Sequence, residues 1–243
     1  LSLLPQESHL TLTGGTHVKW SPTWDYAETV WTPMLKKMGI FLQLSLKRAG
    51  FYPKGGGEVS VSISPAKQIF PLSLSKREGP LNAEGLISIH QVPSHVPARI
   101  QARTKQILQS IGLNPEFYVR EYDAPSPGCA FLLTVKWEGG IAGFDSIGER
   151  RKPAEKVAEE SAYTCLKFIS TNATLDQHLA DQLLLPAAFA KGTSEFRTPR
   201  ITQHLLTNAD VIQHFLPVKI EIEGELEHPG LVRVHPIPKS EVR

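Results

Sequence analysis

The sequence predicts a mixed α+β protein in which a smaller α/β domain is inserted into a larger one, and three observations carry that reading. Period-two apolar alternation recurs in short strands between helices with 3.6-residue periodicity. A breaker-rich stretch around Gly79-Pro80 interrupts the order of elements, and the order restarts after Asn172. The length of 243 residues, 41% of them hydrophobic, is enough for one sizeable core or two modest ones.

His9-Leu10-Thr11-Leu12-Thr13 alternates and stops at Gly14-Gly15, as a strand and turn would. Asp25 to Met38 then reads as a helix with Val30, Met34, Leu35 and Met38 near one face. Strands follow over Ile40 to Leu46 and Glu58 to Ile63, joined through Tyr52-Pro53-Lys54-Gly55-Gly56-Gly57. The triple glycine invites a phosphate-loop reading, but no Gly-Lys-Ser/Thr follows and strands flank it, so a hairpin turn is the better account. Lys47, Arg48 and Lys54 could still present charge to a phosphate.

Residues 1–75 therefore form the first part of the larger domain, 76–171 the inserted one and 172–243 the second part. The middle block predicts a strand over Gly85 to Val92, a helix over Pro97 to Ile111 stopped by Gly112, and strands over Glu116 to Tyr122, Cys129 to Trp137 and Ile141 to Ser146. It closes with a helix over Pro153 to Ile169, and such a block could fold alone. After Asn172 come a helix from Leu175, a strand near Phe196, a helix over Gln203 to Phe215, and strands over Val218 to Ile222 and Leu231 to Val234. The helix from Leu175 continues as Leu183-Leu184-Leu185-Pro186-Ala187-Ala188-Phe189, apolar on every side and so expected to be buried.

Composition excludes several classes. The net charge of +2 is too balanced for a protein that wraps long nucleic acid, although a short or terminal nucleic-acid ligand fits. Cys129 and Cys165 show no CxxC spacing, which argues against a disulfide scaffold or zinc knuckle and for a reducing compartment. No apolar run approaches the length of a bilayer span, and the first five residues lack the basic flank of a signal peptide, so a soluble, cytoplasmic protein is expected. Leu1 enters almost directly into a strand-like segment, and this start reads as a cut edge.

Two segments carry candidate chemistry. His178, Asp181 and Gln182 share one face of the helix from Leu175, either as a pocket wall or as the solvated face of its first turn. His204 follows Thr202, a good N-cap, and so falls in the first turn of its helix, where the dipole favours anions and a neutral imidazole. A neutral imidazole beside a phosphate is a nucleophile; a capping or surface histidine is the plain alternative among nine histidines. Asn208, one turn on, could orient the ring or a ligand. No histidine pair has the i, i+4 spacing of a helical metal site, and Arg150-Arg151-Lys152 reads as solvated surface.

Four motifs in order resemble the RNA 3′-terminal phosphate cyclase family across nearly the whole chain. They are Gly14-Gly15-Thr16 with Ser21-Pro22 and Asp25-Tyr26, Gly50-Phe51-Tyr52-Pro53-Lys54-Gly55-Gly56-Gly57-Glu58-Val59, Leu179-Ala180-Asp181-Gln182-Leu183, and His204-Leu205-Leu206-Thr207-Asn208. The resemblance implies βαβαββ-type repeats in the larger domain and an ATP-dependent enzyme that turns an RNA 3′-phosphate into a 2′,3′-cyclic phosphate. It implies His204 as the nucleophile that takes AMP, Pro22 packing on the adenine, and Asp181 and Gln182 binding the nucleotide. His178 stands where some members stack a tyrosine on the base, and imidazole stacks as well. A divalent ion, Mg²⁺ or Mn²⁺, is implied, with no ligand legible. A glycine-rich unit and a glutamine-bearing segment that precede Gly14-Gly15-Thr16 in the family are absent from these residues. Two rival readings are a non-catalytic RNA-binding or ribosome-assembly relative, which His204 argues against, and a metabolic transferase sharing the repeat fold, such as an enolpyruvyl transferase.

Overall fold

The computed structural model describes residues 1–236, and the last residues of the expected third segment lie outside them. Three separate sheets account for eleven strands among the described residues, with helices between them. The α+β class read from the sequence is the observed one.

The chain opens with β1 (Ser8–Gly14), followed by a helical run in three parts: α1 (Trp24–Tyr26), a π-helical turn (Ala27–Trp31) and α2 (Thr32–Lys37). The wide turn has a cause in the sequence. Pro33 has no amide to give and its ring would crowd the carbonyl four residues back, so the turn before it opens. The hydroxyl of Thr32 fills part of the gap by donating to the Ala27 carbonyl at 2.8 Å. β2 (Leu42–Arg48) and β3 (Gly57–Ile63) complete an antiparallel sheet in the order β1-β3-β2.

The two-residue strand β4 (Ser73–Leu74) belongs to a different sheet from its neighbours in sequence. From it the chain runs through β5 (Glu78–His90), α3 (His95–Leu108), β6 (Glu116–Glu121), β7 (Gly128–Glu138), β8 (Gly140–Ile147) and α4 (Ala154–Ile169). These strands form a sheet in the order β6-β5-β7-β8, with β5 parallel to β6 and antiparallel to β7. β5 is longer than the sequence suggests. Gly79 and Pro80, read there as a connecting breaker, lie within it, at an irregularity between Glu78 and Asn82 where a proline needs no ladder partner.

Both faces of this sheet are covered. On one side Ile87, Phe131, Leu133, Val135 and Phe144 pack against α3 and α4, which present Ile100 and Leu108, and Val157, Cys165 and Phe168. On the other, Leu132 and Ile141 join the core of α1, α2 and the last third of the chain. Strands buried on both faces read as continuous apolar runs, which is why Cys129 to Val135 shows no alternation.

The chain then returns through α5 (Gln177–Gln182), α6 (Leu184–Ala188), β9 (Ser194–Thr198), α7 (Gln203–Phe215), β10 (Val218–Glu223) and β11 (Gly230–Pro236). The third sheet has the order β10-β11-β9-β4, with β4 parallel to β9. β4, α5/α6, β9, α7, β10 and β11 therefore make one βαβαββ unit, with residues 78–169 lying between its first strand and first helix. The order β2-β3-β1 of the first sheet repeats β10-β11-β9, so the βαββ portion of this unit occurs twice. The edge of β1 that corresponds to the one taken by β4 is unpaired among the described residues.

One expectation is corrected here. The helix from Leu175 is two short helices meeting at Leu183, and its second half is not buried all round: Leu185 is 51% and Phe189 41% exposed. Asp176 caps the first helix, and with a break at Leu183 only Leu184, Ala187 and Ala188 face the core.

Both cysteines are buried and free, and burial pushes their thiols up to about 11 for Cys129 and about 12 for Cys165. No helix among the described residues is long and apolar enough to cross a membrane.

Candidate nucleotide site

The four motif segments meet as two locked pairs. In the first, the amides of Thr16 and His17 donate to the Gly50 carbonyl at 2.9 and 3.2 Å, and the Gly50 amide donates back to Thr16 Oγ1 at 2.9 Å. Residue 50 must be glycine for this approach, because a Cβ there would lie 2.4 Å from the Gly14 carbonyl oxygen. Gly55 and Gly56 take positive φ in the turn that leads into β3, so the triple glycine shapes a strand connection. Of the basic residues beside it, Lys47 pairs with Glu58 and Arg48 donates to the Gly56 carbonyl, leaving Lys54 exposed.

In the second pair, Asn208 on α7 donates to Asp181 Oδ1 on α5. Asn208 is thus engaged in joining the two helices. Thr202 caps α7 by accepting the Leu205 amide at 3.1 Å, which puts His204 second in the helix, exposed to solvent. Among the described residues no protein group bonds its ring. Asp181 and Gln182 end α5, half-buried beside α7, and Gln182 Oε1 is shut off from solvent without a donor. His178, on the first turn of α5, is exposed, with Nε2 3.0 Å from Gln177 Nε2.

A cleft of about 590 Å³ opens at the N-terminal end of α5. Its walls are Asp145 of β8, Thr164 and Lys167 of α4, His178, and Arg200, which pairs with Glu227 just before α7. Of the five residues singled out in the sequence, His178 lines the cleft. Pro22 adjoins it, being exposed and followed by Thr23, whose amide donates to Asp145 Oδ2 at 3.0 Å. His204, Asp181 and Gln182 lie at the other end of α5 and on α7.

Two buried aspartates hold this region together, and sequence reading did not mark either as a structural centre. Asp25 Oδ2 accepts from His17 Nε2 at 3.1 Å and from the Ser88 hydroxyl at 2.5 Å, while Oδ1 accepts from the Tyr122 hydroxyl at 3.0 Å. Burial pushes this carboxyl up, but the His17 hydrogen bond and charge, with the Ser88 and Tyr122 bonds, bring it below its ordinary value. Asp176 accepts from the Tyr26 hydroxyl at 2.8 Å, and there burial wins, raising the carboxyl. Tyr26 itself is raised well above its ordinary value by burial and by Asp176. No local signal could have shown the contact of Tyr26 with Asp176, whose partners stand 150 positions apart.

The family model for RNA 3′-terminal phosphate cyclase matches residues 1–222. The chain belongs to the RNA 3′-terminal phosphate cyclase family. It is 40% identical over 222 residues to the RNA 3′-terminal phosphate cyclase of Trichormus variabilis, covering 91% of this chain and 64% of the relative. The Methylococcus capsulatus protein of the same name is 38% identical over 239 residues, or 98% of this chain and 66% of the relative. That of Ignicoccus hospitalis is 36% identical over 237 residues, 95% and 67% respectively. The chain thus spans about two thirds of the length of the curated relatives it matches. All four cyclase motifs lie within the matched stretch.

Proposed function

We propose that this protein takes part in the ATP-dependent cyclisation of RNA 3′-phosphate ends, with His204 as the nucleophile. The observation that carries the reading is the exposed imidazole in the first turn of α7, on a helix joined through Asn208 to Asp181. In this reading a ring nitrogen of His204 attacks the α-phosphorus of ATP and the bond to pyrophosphate breaks. AMP then passes to an oxygen of the RNA 3′-phosphate, releasing the histidine. The neighbouring 2′-hydroxyl attacks the activated phosphorus, losing its proton as AMP departs and the 2′,3′-cyclic phosphate closes. The amides at the start of α7 favour negative charge beside the ring.

Asp181 and Gln182 would hold the nucleoside. Pro22 and His178 supply flat surfaces for the base. Mg²⁺ or Mn²⁺ would neutralise the phosphates. Among the described residues no group of three or more His, Cys, Asp or Glu side chains is placed to hold a metal.

The test is incubation of the protein, expressed from its complete coding sequence, with ATP labelled at the α-phosphate. Acid-labile label on the wild-type protein and none on His204→Ala is the expected result. Label that survives in His204→Ala removes His204 from the mechanism. RNA binding without turnover of a 3′-phosphorylated oligonucleotide would favour a non-catalytic role.

A further inference from the structure

Asp176 makes more bonds than a helix cap needs. Its Oδ1 accepts the amides of His178 at 3.0 Å and Leu179 at 2.9 Å, which is what a serine, threonine or asparagine does at an N-cap. The same oxygen accepts the Tyr26 hydroxyl at 2.8 Å, and Oδ2 accepts the Gly143 amide at 3.1 Å. One carboxylate, 2% exposed, therefore joins α5 to α1 and to β8. The last two elements touch directly there: a Cβ at Gly143 would lie 2.7 Å from a Val30 methyl and 2.8 Å from the Tyr26 ring.

Each of the three elements carries part of the candidate nucleotide site. α1 continues from Pro22 and Thr23, β8 presents Asp145 to the Thr23 amide, and α5 bears His178, Asp181 and Gln182. We propose that Asp176 is a positioning residue: without touching the ligand, it holds α5, α1 and β8, and with them His178 and Pro22, in the arrangement the nucleobase needs. This rests on the ATP reading above. It gives the four-stranded block of residues 78–147 a task as well, because Gly143 is one of the points at which that sheet is tied to the site.

The choice of aspartate follows from counting acceptors. Four donors converge on it, and an ionised carboxylate alone among short side chains accepts at both oxygens with no donor of its own. In Asp176→Asn the amide nitrogen must face either Gly143 or the three donors on the other oxygen. Facing Gly143 is the lesser conflict, so that variant keeps the cap and the Tyr26 bond and releases β8. Tyr26→Phe removes the α1 bond alone and keeps the ring in place.

The experiment compares wild type, Asp176→Asn and Tyr26→Phe, each expressed from the complete coding sequence. Equilibrium binding of ATP, KM and kcat for ATP, and backbone hydrogen exchange are measured. We expect ATP affinity in Asp176→Asn to fall and KM to rise about tenfold, the equivalent of about 1.4 kcal/mol, with kcat at saturating ATP within about threefold of wild type. Exchange should quicken in the amides of residues 23–27 and 141–145 and stay unchanged across α7. Tyr26→Phe should show a smaller KM effect of the same kind, and it serves as the measurement should Asp176→Asn fail to fold. Unchanged ATP affinity in a variant whose exchange has quickened overturns the proposal, as does a fall in kcat with KM unmoved. If the wild type binds no ATP, the nucleotide reading fails and the positioning role with it, whereas failure in the variants alone leaves that reading standing.

Discussion

Substitution of Asp25 by alanine tests how much of the fold depends on one buried carboxylate. The side chain is 1% exposed and accepts from His17, Ser88 and Tyr122, of which His17 and Ser88 are fully enclosed. Asp25→Ala leaves those two donors without acceptors, while the hydroxyl of half-buried Tyr122 can still donate to water. At about 1–3 kcal/mol for each orphaned buried group, two of them cost about 2–6 kcal/mol. Relief of the desolvated charge offsets part of this, and breaking a buried pair from one side typically costs about 3–5 kcal/mol. In a protein of this size that is a fall in Tm of about 10 °C. Thermal unfolding at pH 7, followed by tryptophan fluorescence and far-ultraviolet circular dichroism, measures it. Asp25→Asn should lose less, because the amide keeps one acceptor and Ser88 can turn its hydroxyl to accept from the other side. A loss below about 1 kcal/mol in Asp25→Ala would refute the reasoning, since it would show that His17 and Ser88 find other partners.

Asp25 also sets a pH dependence. Its folded carboxyl lies below the unfolded value of about 3.9, so its contribution is complete above that value and is lost as pH falls through the folded one; the stability gap between wild type and Asp25→Ala should therefore narrow in acid. Arg77 donates to the carbonyls of Phe168, Ile169 and Thr171 at the end of α4, and its guanidinium lies 4.5 Å from the centre of the Phe168 ring. Arg77→Ala should cost about 1.5–3 kcal/mol, the usual range for bonds to a charged group, by urea unfolding. Phe168→Ala, at a ring 1% exposed, should cost about 3–5 kcal/mol in the same assay. Cys129 and Cys165 should stay unreactive toward a thiol reagent at pH 8 until the protein unfolds, because burial raises both thiols and covers them; rapid labelling of the native protein would contradict their placement.

The α4 helix shows what was legible from residues alone. Its buried positions Ala154, Val157, Ala158, Ser161, Ala162, Cys165 and Phe168 recur at helical spacing, and a single face is a local property of the chain. The cap at Thr202 and the placing of His204 in a first turn were legible for the same reason. The break at Leu183 was not, because an all-apolar run shows no face to distinguish, and neither was the full length of β5, whose first residues look like a turn until β7 lies beside them.

By itself the sequence determined the class, the order of most elements and the motifs, since each depends on residues within one or two turns or strands of one another. Only the tertiary structure decided that Ser73–Leu74 pairs with Ser194–Thr198 to begin the βαβαββ unit of the third sheet. It also decided that Asp181 meets Asn208, and that Asp25 and Asp176 are enclosed hubs. The physical reason is that pairing register and burial are set by what the rest of the chain brings alongside. A carboxylate in the sequence reads as solvated surface until donors from distant parts of the chain, two each for Asp25 and Asp176, close around it.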